Sequence, residues 1–277
     1  MGINAFIPEI WDAAVYRTLE DNLIAKKICR NYSNKVSKFG EVIHFNSLTD
    51  PTINDYTGTV SYETPNAGQI SLQINQDKYY GIDILDEDEA MANVDIKGSQ
   101  TERAAYKLRE AMDSVIMGLY TQAGNVLTAD TTCDATTIIS DIGLLGQKLS
   151  ENNVSENDRW VVINPWVALK LKLAGIKFQI NNGINGKGGM SWAQDLGFDI
   201  YVTNQVVDSN TTGPVSEIMA GSYNAIAFAE KLQKSEALRA ETAFATHLRG
   251  RILFGAKVVK PKELAKIALT YTAETAI

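Results

Sequence analysis

The densest group of acidic side chains is the DEDE run at residues 86–89. Carboxylates are the ligands that hard divalent cations such as Ca²⁺ prefer. A calcium loop also needs a glycine at its sixth position, and none stands there when the loop is counted from Asp83 or from Asp86. Acidic side chains near the start of a helix complement the helix dipole. The run therefore predicts a solvated turn and no metal site.

A glycine-rich segment, GINGKGG at residues 183–189, invites comparison with a phosphate-binding loop. That loop requires GxxxxGK followed by Ser or Thr. Here Lys187 is followed by Gly188, and Asn181 occupies the position of the first glycine. The residues before the segment have a helical pattern, whereas a phosphate-binding loop follows a strand. The segment predicts a surface loop and no nucleotide cofactor.

Residue types that carry catalysis are sparse. His44 and His247 are far apart and lack the HExxH spacing of a zinc site. There is no GxSxG elbow for a nucleophilic serine. Cys29 and Cys133 form neither a disulfide framework nor a CxxC knuckle, and we expect two reduced thiols. The sequence predicts a protein that is not an enzyme and has no cofactor, although catalytic triads converge in space and an α/β enzyme remains an alternative.

The amino-acid composition narrows the classes of protein that remain. The chain has 277 residues, with 26 Lys and Arg against 33 Asp and Glu, so its formal net charge is −7. This acidity argues against general nucleic-acid binding, which depends on basic side chains. Lys257, Lys260 and Lys262 form the densest basic cluster of the C-terminal part of the chain; we expect ion pairs or a solvated face there, with a nucleic-acid contact as the alternative. No apolar run approaches the about 18 residues of a membrane span, and no secretory signal begins the chain.

The first predicted element is a helix within an N-terminal arm at residues 1–39. Trp11, Val15, Leu19 and Leu23 recur at every fourth position and form an apolar stripe. The stripe predicts an amphipathic helix, packed either on its own domain or on a neighbouring subunit. The sequence leaves these two alternatives open.

A long hairpin is predicted for residues 41–85. Its first strand spans Glu41–Leu48, and its returning strand spans Gln69–Ile84, where apolar and polar residues alternate. The tract between them is polar and long for a compact domain, which favours a functional excursion. Because a two-stranded hairpin is marginal alone, it needs a surface to lie on, and that surface could belong to another chain.

Helix and strand patterns alternate over the rest of the chain. Ser99 and Glu102 form a capping box that predicts a spine helix over residues 99–124, about 37 Å long. Residues 127–230 predict a compact α/β domain; its elements are a helix at 136–149, a strand at 159–164, a helix from Pro165, a strand at 198–206 and a segment of ambiguous type at 217–229. Residues 235–277 return to strand character, broken by Pro261.

This order of arm, hairpin, spine helix, α/β insertion and returning strands resembles the major capsid protein of tailed bacteriophages, the Johnson fold. The segments that carry the resemblance best are Phe6–Asn31, Ile74–Ala90 and Leu248–Ile267. It implies an α+β fold with an N-arm at 1–39, an extended hairpin loop at 40–85, a discontinuous peripheral domain at 86–126 and 240–277, and an axial domain at 127–239. The loop 181–191 or the turn 208–214 would then point toward the five-fold and six-fold axes.

The resemblance also implies contacts between subunits. The candidate contact residues lie in the arm and in the hairpin tract: Trp11, Val15, Leu19, Asp55, Tyr56, Tyr62 and Glu63. Some relatives cross-link a loop lysine to a neighbouring asparagine. The lysine of the predicted hairpin, Lys78, lies outside the tip, so we expect no covalent cross-link.

A structural function follows from the resemblance. The chain would self-assemble, through hexameric and pentameric capsomers, into an icosahedral or prolate shell that encloses phage double-stranded DNA without sequence-specific binding. Because the arm begins near Met1, we expect a separate scaffolding protein, together with a portal, and assembly in the host cytoplasm without a membrane. The inner wall should be near neutral or negative. The alternatives are an encapsulin-like nanocompartment with a protein cargo, an α/β enzyme and a tail component.

Overall fold

The structure is a computed structural model. It describes residues 24–35, 41–48, 52–56, 58, 62, 64, 67–87, 96–128, 133–135, 137–174, 178–179, 190–192, 197–208, 215–241 and 244–271. Most of the predicted arm helix and the glycine-rich segment at 183–189 lie outside these residues.

Four α-helices and thirteen strands make up the described part of the chain. The helices are α1 Ala25–Ile28, α2 Ile96–Met117, α3 Ile138–Glu151 and α4 Pro165–Leu173. The strands are β1 Arg30–Asn31, β2 Val42–Leu48, β3 Ala67–Gln73, β4 Gln76–Leu85, β5 Asn125–Thr128, β6 Arg159–Ile163, β7 Phe178–Gln179, β8 Met190–Trp192, β9 Asp199–Val202, β10 Val215–Ser222, β11 Ile226–Arg239, β12 Ala245–Val258 and β13 Leu264–Thr270.

The larger sheet has seven strands in the order β5-β13-β10-β6-β9-β8-β7. Strand β6, with the sequence RWVVI, is buried along its whole length, which explains its continuous apolar run. It runs parallel to β9, and α4 begins directly after it at Pro165. Helix α3 buries its apolar stripe in the same core, which includes Ile142, Leu145 and Leu149. The predicted helix at 136–149 and the predicted strand at 159–164 are confirmed to within two residues, whereas the strand predicted at 198–206 is shorter, Asp199–Val202.

A partly buried tyrosine pair joins β9 to the turn after β10. The Tyr223 hydroxyl donates to Asp199 Oδ2 at 2.6 Å and lies 3.1 Å from the Tyr201 hydroxyl oxygen. Burial raises the pKa of both phenols above the ordinary tyrosine value. The neutral phenols therefore stabilise the fold below the tyrosine pKa of the unfolded chain, about 10, and this contribution is lost as pH rises above it.

We expect Tyr223→Phe to weaken the alkaline sensitivity of the fold. The wild type should lose more free energy of unfolding than the variant between about pH 9 and about pH 11, because only its unfolded chain gains this ionised phenolate. Urea denaturation at the two pH values measures the difference. Equal losses in both proteins would mean that Tyr223 ionises as readily in the fold as in the unfolded chain.

The smaller sheet has four strands in the order β1-β11-β12-β4. Strands β11 and β12 have 14 residues each and pair over nearly their full length. On one face, Leu248, Ile252 and Phe254 are buried on the side where the spine helix α2 contributes Leu108 and Met112 to the core. The sheet face opposite the spine helix carries the hairpin.

The spine helix is longer at its start than predicted. Helix α2 begins at Ile96, so Ser99 lies inside the helix, and the predicted capping box is wrong. The Thr101 hydroxyl donates to the Lys97 carbonyl, one turn back, at 2.8 Å. The 22 residues give a rod of about 33 Å. A 3₁₀ turn, Gly118–Gln122, completes it, and Gly124 follows where a Cβ atom would meet the Pro261 carbonyl.

The predicted returning strand at Gln69–Ile84 is wrong as a single element. Strand β3 pairs with β2, from Val42 opposite Gln73 to Leu48 opposite Ala67, whereas β4 pairs with β12. The chain changes partners at Ile74 and Asn75. A Cβ atom on Gly255 would stand well inside van der Waals contact with the Gln73 carbonyl, so β12 passes against the backbone of the hairpin at this point.

We expect Gly255→Ala to lower the free energy of unfolding by about 1–3 kcal/mol, because the added methyl group meets backbone that cannot rotate away. Gly81→Ala is the matched control: Gly81 also lies in a strand of this sheet, and its added Cβ would have no neighbour within 4 Å. Thermal and urea unfolding of both variants check the prediction. A Gly255→Ala variant as stable as the control would show that the hairpin can shift at no cost.

Sheet membership does not follow the predicted domain limits. Strand β11, at the end of the predicted axial segment 127–239, belongs to the four-stranded sheet. Strand β13, in the predicted peripheral segment 240–277, belongs to the seven-stranded sheet with β10 and β5. The domain limits stay a prediction, and a revised division has to keep these strands with their pairing partners.

Candidate assembly interface

The base of the hairpin packs on the four-stranded sheet through a small apolar cluster. Its buried members are Ile43, Leu72 and Ile74 from the hairpin segment and Ala227, Ala229 and Leu253 from the sheet. Complete burial of a side chain such as Leu72 stabilises the contact by about 1.5–3 kcal/mol. The small side chains on β11 allow the hairpin to approach the sheet closely. The hairpin is therefore anchored at its base, separately from the larger core.

The segment that precedes the hairpin strengthens this anchor. The Tyr32 and Phe45 rings meet edge to face with their centroids 5.0 Å apart. The Tyr32 backbone N–H donates to the Phe228 carbonyl at 2.8 Å, and the Glu230 N–H donates to the Ser33 hydroxyl at 3.0 Å. Residues 30–35 thus lie along the edge of β11 and hold the hairpin from one side.

The far end of the hairpin is exposed. Each described residue between the two strands is exposed: residues 52–56, 58, 62 and 64. Ile53 is 95% exposed, Tyr62 93% and Tyr56 77%, which is unusual for three large apolar side chains in one short tract. An exposed apolar group rimmed by polar residues is typical of a protein–protein interaction site.

The predicted contact residues fall into two groups. Asp55, Tyr56 and Tyr62 are exposed on the hairpin between β2 and β3. The remaining candidates, Trp11, Val15, Leu19 and Glu63, lie outside the described residues. Sequence reasoning missed Ile53, although an isolated isoleucine in a polar tract is a signal that could have found it.

Ion pairs cross the outer half of the four-stranded sheet. Arg251 pairs with Asp77 and lowers the pKa of that carboxyl through a hydrogen bond. Arg249 Nη2 lies 2.7 Å from Glu236 Oε2. Asp86, from the predicted acidic turn, pairs with Arg239. Arg251–Asp77 and Arg249–Glu236 connect neighbouring strands of this sheet, whereas Arg239–Asp86 connects β11 to the residue after β4.

The histidines and cysteines of the described part of the chain do not form a metal-binding group. No group of three or more His, Cys, Asp or Glu side chains there could hold a metal ion. His44 is exposed on β2, and His247 Nδ1 lies 3.0 Å from Asp83 Oδ1. Cys29 and Cys133 are buried, and burial raises the pKa of the Cys29 thiol. No described helix is long and apolar enough to cross a membrane.

The described residues thus form two sheets, a long spine helix and a hairpin whose base packs on the four-stranded sheet. The chain matches the sequence model of the phage capsid protein family over residues 69–267. This chain belongs to the phage capsid protein family.

Solved structures share the fold. A chain of Mycobacterium phage Che8 is 23% identical, with a TM-score of 0.73, covering 89% of this chain and 91% of that one. The capsid structure of cyanophage P-SCSP1u matches at 16% identity and a TM-score of 0.68, covering 88% and 87%. The virus-like particle from Pyrococcus furiosus matches at 12% and 0.62, covering 95% and 99%. A comparison with curated protein sequences gave no significant match.

Family and fold confirm two predictions from the sequence. The fold is the α+β major capsid fold of tailed phages, and the protein is a structural capsid protein. The family match does not favour the encapsulin-like alternative. Membership of a structural family also implies a role other than catalysis, while the absence of any activity stays a prediction.

Proposed function

We propose that this chain forms the closed shell of a tailed phage and that its hairpin, residues 41–73, joins neighbouring subunits. The observation that carries the proposal is the contrast between the two ends of the hairpin. The base is buried against the subunit's own sheet, whereas Ile53, Tyr56 and Tyr62 are exposed beyond it. A neighbouring copy would bury these side chains, and Asp55 beside them would lie in the same contact.

Such a contact suits a closed assembly. It is heterologous, because the hairpin of one copy meets a different surface of the next, and contacts of this kind close into rings when the rotation closes. Hexameric and pentameric capsomers are the rings that we propose. Each contact can be weak, since a subunit held by several neighbours gains avidity.

The proposal extends to partners and location. The shell encloses double-stranded DNA without sequence-specific binding, with a separate scaffolding protein and a portal, and assembles in the host cytoplasm. The formal net charge of −7 supports confinement of DNA over tight binding, because an acidic wall does not retain phosphates. The arm residues Trp11, Val15 and Leu19 and the hairpin residue Glu63 are proposed as further contacts between subunits.

Negative-stain microscopy together with size-exclusion chromatography tests the assembly. The chain is produced alone and together with scaffolding and portal proteins of the same phage. We expect closed shells or capsomer rings of uniform size in at least one preparation. A protein that stays a dispersed monomer in both preparations would overturn the proposal and return attention to the enzyme alternative.

The contents of the particle test the enclosed cargo. Particles from induced or infected cells should protect double-stranded DNA from nuclease. Particles that hold a defined protein and no protected DNA would favour the nanocompartment alternative. Open tubes in place of closed shells would indicate a tail component.

A further inference from the structure

The surface that receives the hairpin can be inferred from charge. Resting on the proposed function, we propose that the hairpin tip of one copy docks against the basal cation cluster of the next copy. The tip is residues 49–66. The basal cation cluster is Arg30, Lys35 and Lys257, which lie around the base of the hairpin.

Strand register brings two of these cations to one face of the sheet. Arg30 pairs with Ala227 in the parallel ladder of β1 and β11, and Ala227 pairs with Lys257 in the antiparallel ladder of β11 and β12. Directly paired residues point to the same face, so Arg30 and Lys257 flank Ala227 at a Cα separation of about 10 Å. Ala227 is buried under the hairpin base, which identifies this face as the hairpin face.

Lys35, the third cation, lies beside the Tyr32 ring, and Arg30 lies beside the same ring. Lys35 Nζ is 5.6 Å from the centroid of the Tyr32 ring, and the Arg30 guanidinium carbon is 5.7 Å from the same centroid. Tyr32 in turn contacts Phe45 of the hairpin. Arg30, Lys35 and Lys257 are all exposed. The cluster is therefore a solvent-facing basic surface attached to the hairpin base.

Two other lysines of the C-terminal part of the chain form ion pairs. Lys260 pairs with Glu263 at 2.6 Å, and Lys266 pairs with Glu217 at 3.2 Å. Within the residues that the structure describes, Arg30, Lys35 and Lys257 form no ion pair; Arg30 donates to the neutral Asn224 Oδ1 at 2.9 Å. Among the described residues, these three exposed cations therefore form a basic surface on an acidic subunit.

The tip has the complementary charge. Residues 49–66 contain Asp50, Asp55 and Glu63 and no Lys, Arg or His. The exposed rings of Tyr56 and Tyr62 add aromatic faces, on which guanidinium and ammonium groups stack favourably. Opposite charges on the two surfaces direct the approach of the partner and fix its position.

The geometry indicates that a second copy of the chain contacts the basal cation cluster. The seven-residue strands β2 and β3 separate the tip from the base of its own hairpin by about 23 Å. The described tip residues are exposed, so they do not cover the basal cation cluster of their own chain. Each copy then gives one tip and receives one, which is the repeating heterologous contact that a ring needs.

Disulfide trapping tests the contact. Asp55→Cys chains are mixed with Lys257→Cys chains, assembled and oxidised with copper phenanthroline. The matched control pairs Asp55→Cys with Tyr79→Cys. Tyr79 is 82% exposed on the same sheet face, opposite Arg251 and so about 20 Å along β12 from Lys257. We expect about tenfold more cross-linked dimer with Lys257→Cys than with Tyr79→Cys, because a held contact raises the effective concentration of the two thiols.

The outcomes separate this proposal from the proposed function. The docking site is overturned if shells form but Asp55→Cys cross-links no better to Lys257→Cys than to Tyr79→Cys, or cross-links to neither. Shell formation itself would remain supported by that result. A wild-type chain that forms no shell under any condition overturns both proposals.

The charge exchange Asp55→Lys with Lys257→Asp is the second measurement: each single variant should reduce the yield of shells, and the double variant should restore it. A double variant as defective as the singles would also overturn the site.

Discussion

Replacing residues 49–66 with an Asn-Gly turn should abolish shell formation and leave the subunit folded. Leu48 and Ala67 are the last pair of the β2–β3 ladder, and a two-residue Asn-Gly turn closes such a ladder. The described residues of the replaced tract are exposed, so the free energy of unfolding should change by less than about 0.5 kcal/mol.

Microscopy measures the loss of shells, and circular dichroism with thermal unfolding measures the retained fold. The control replaces the same 18 residues with a Gly-Ser tract of equal length. We expect this control to fail in assembly as well, because contact depends on side chains such as Tyr56 and Tyr62. Normal shells from the Asn-Gly variant would remove the tip from the assembly mechanism.

The second large effect is expected for Leu72→Asp. Leu72 is completely buried between the hairpin and the sheet, and an unpaired carboxylate there costs more than about 3 kcal/mol. The charge should detach the hairpin from Leu253 and Ala229 and prevent assembly. The larger core should survive, because the apolar cluster at the hairpin base is separate from it.

Hydrogen exchange and limited proteolysis check where the damage is confined. Exchange should rise in β2 and β3 and stay slow in β6 and β10. Gln69→Asp is the control, since Gln69 lies on the same strand with an exposed side chain. We expect it to assemble. Cooperative unfolding of the entire Leu72→Asp subunit would show that the hairpin base belongs to the main folding unit.

Local patterns in the sequence were sufficient for the elements of the larger sheet. The apolar repeat through Ile138, Ile142 and Leu145 predicted α3 to within two residues, and the run at Arg159–Ile163 predicted a buried strand. Helix α3 buries one face against the rest of the chain, and strand β6 is buried along its whole length. Burial of that kind leaves a clear periodicity.

Elements defined by distant partners were not predictable. At Ile74 and Asn75 the chain stops pairing with β2 and starts pairing with β12, which lies about 180 residues later. The alternation of apolar and polar residues continues through this point, so it predicts one strand where the structure has two. Helix α2 starts before Ser99 despite a good capping sequence, because tertiary context overrides a local capping signal. Strand β13 alternates between buried and less buried side chains from Ala265 to Thr270, but this pattern does not show which sheet the strand joins, because its partners β10 and β5 are distant along the chain.

The candidate interface also has one part that the sequence indicated and one part that depends on distant partners. The length and polarity of the tract 49–66 indicated an excursion, and the resemblance indicated what it would contact. The basal cation cluster had no sequence signal, because Arg30, Lys35 and Lys257 are separated along the chain and only strand register brings them together. Lys257 belongs to the basic run at 257–262, which predicts only ion pairs or a solvated face.

The two residues between β3 and β4 have a geometric consequence for a curved container. Copies of one sequence that surround both five-fold and six-fold axes meet their neighbours at different dihedral angles. In this subunit the two ladders meet at a fixed corner, because Ile74 is buried in the apolar cluster at the hairpin base and its N–H donates to the Glu41 carbonyl at 3.3 Å. For the shell that we propose, the difference in dihedral angle then has to fall at the contacts between copies and not at this corner.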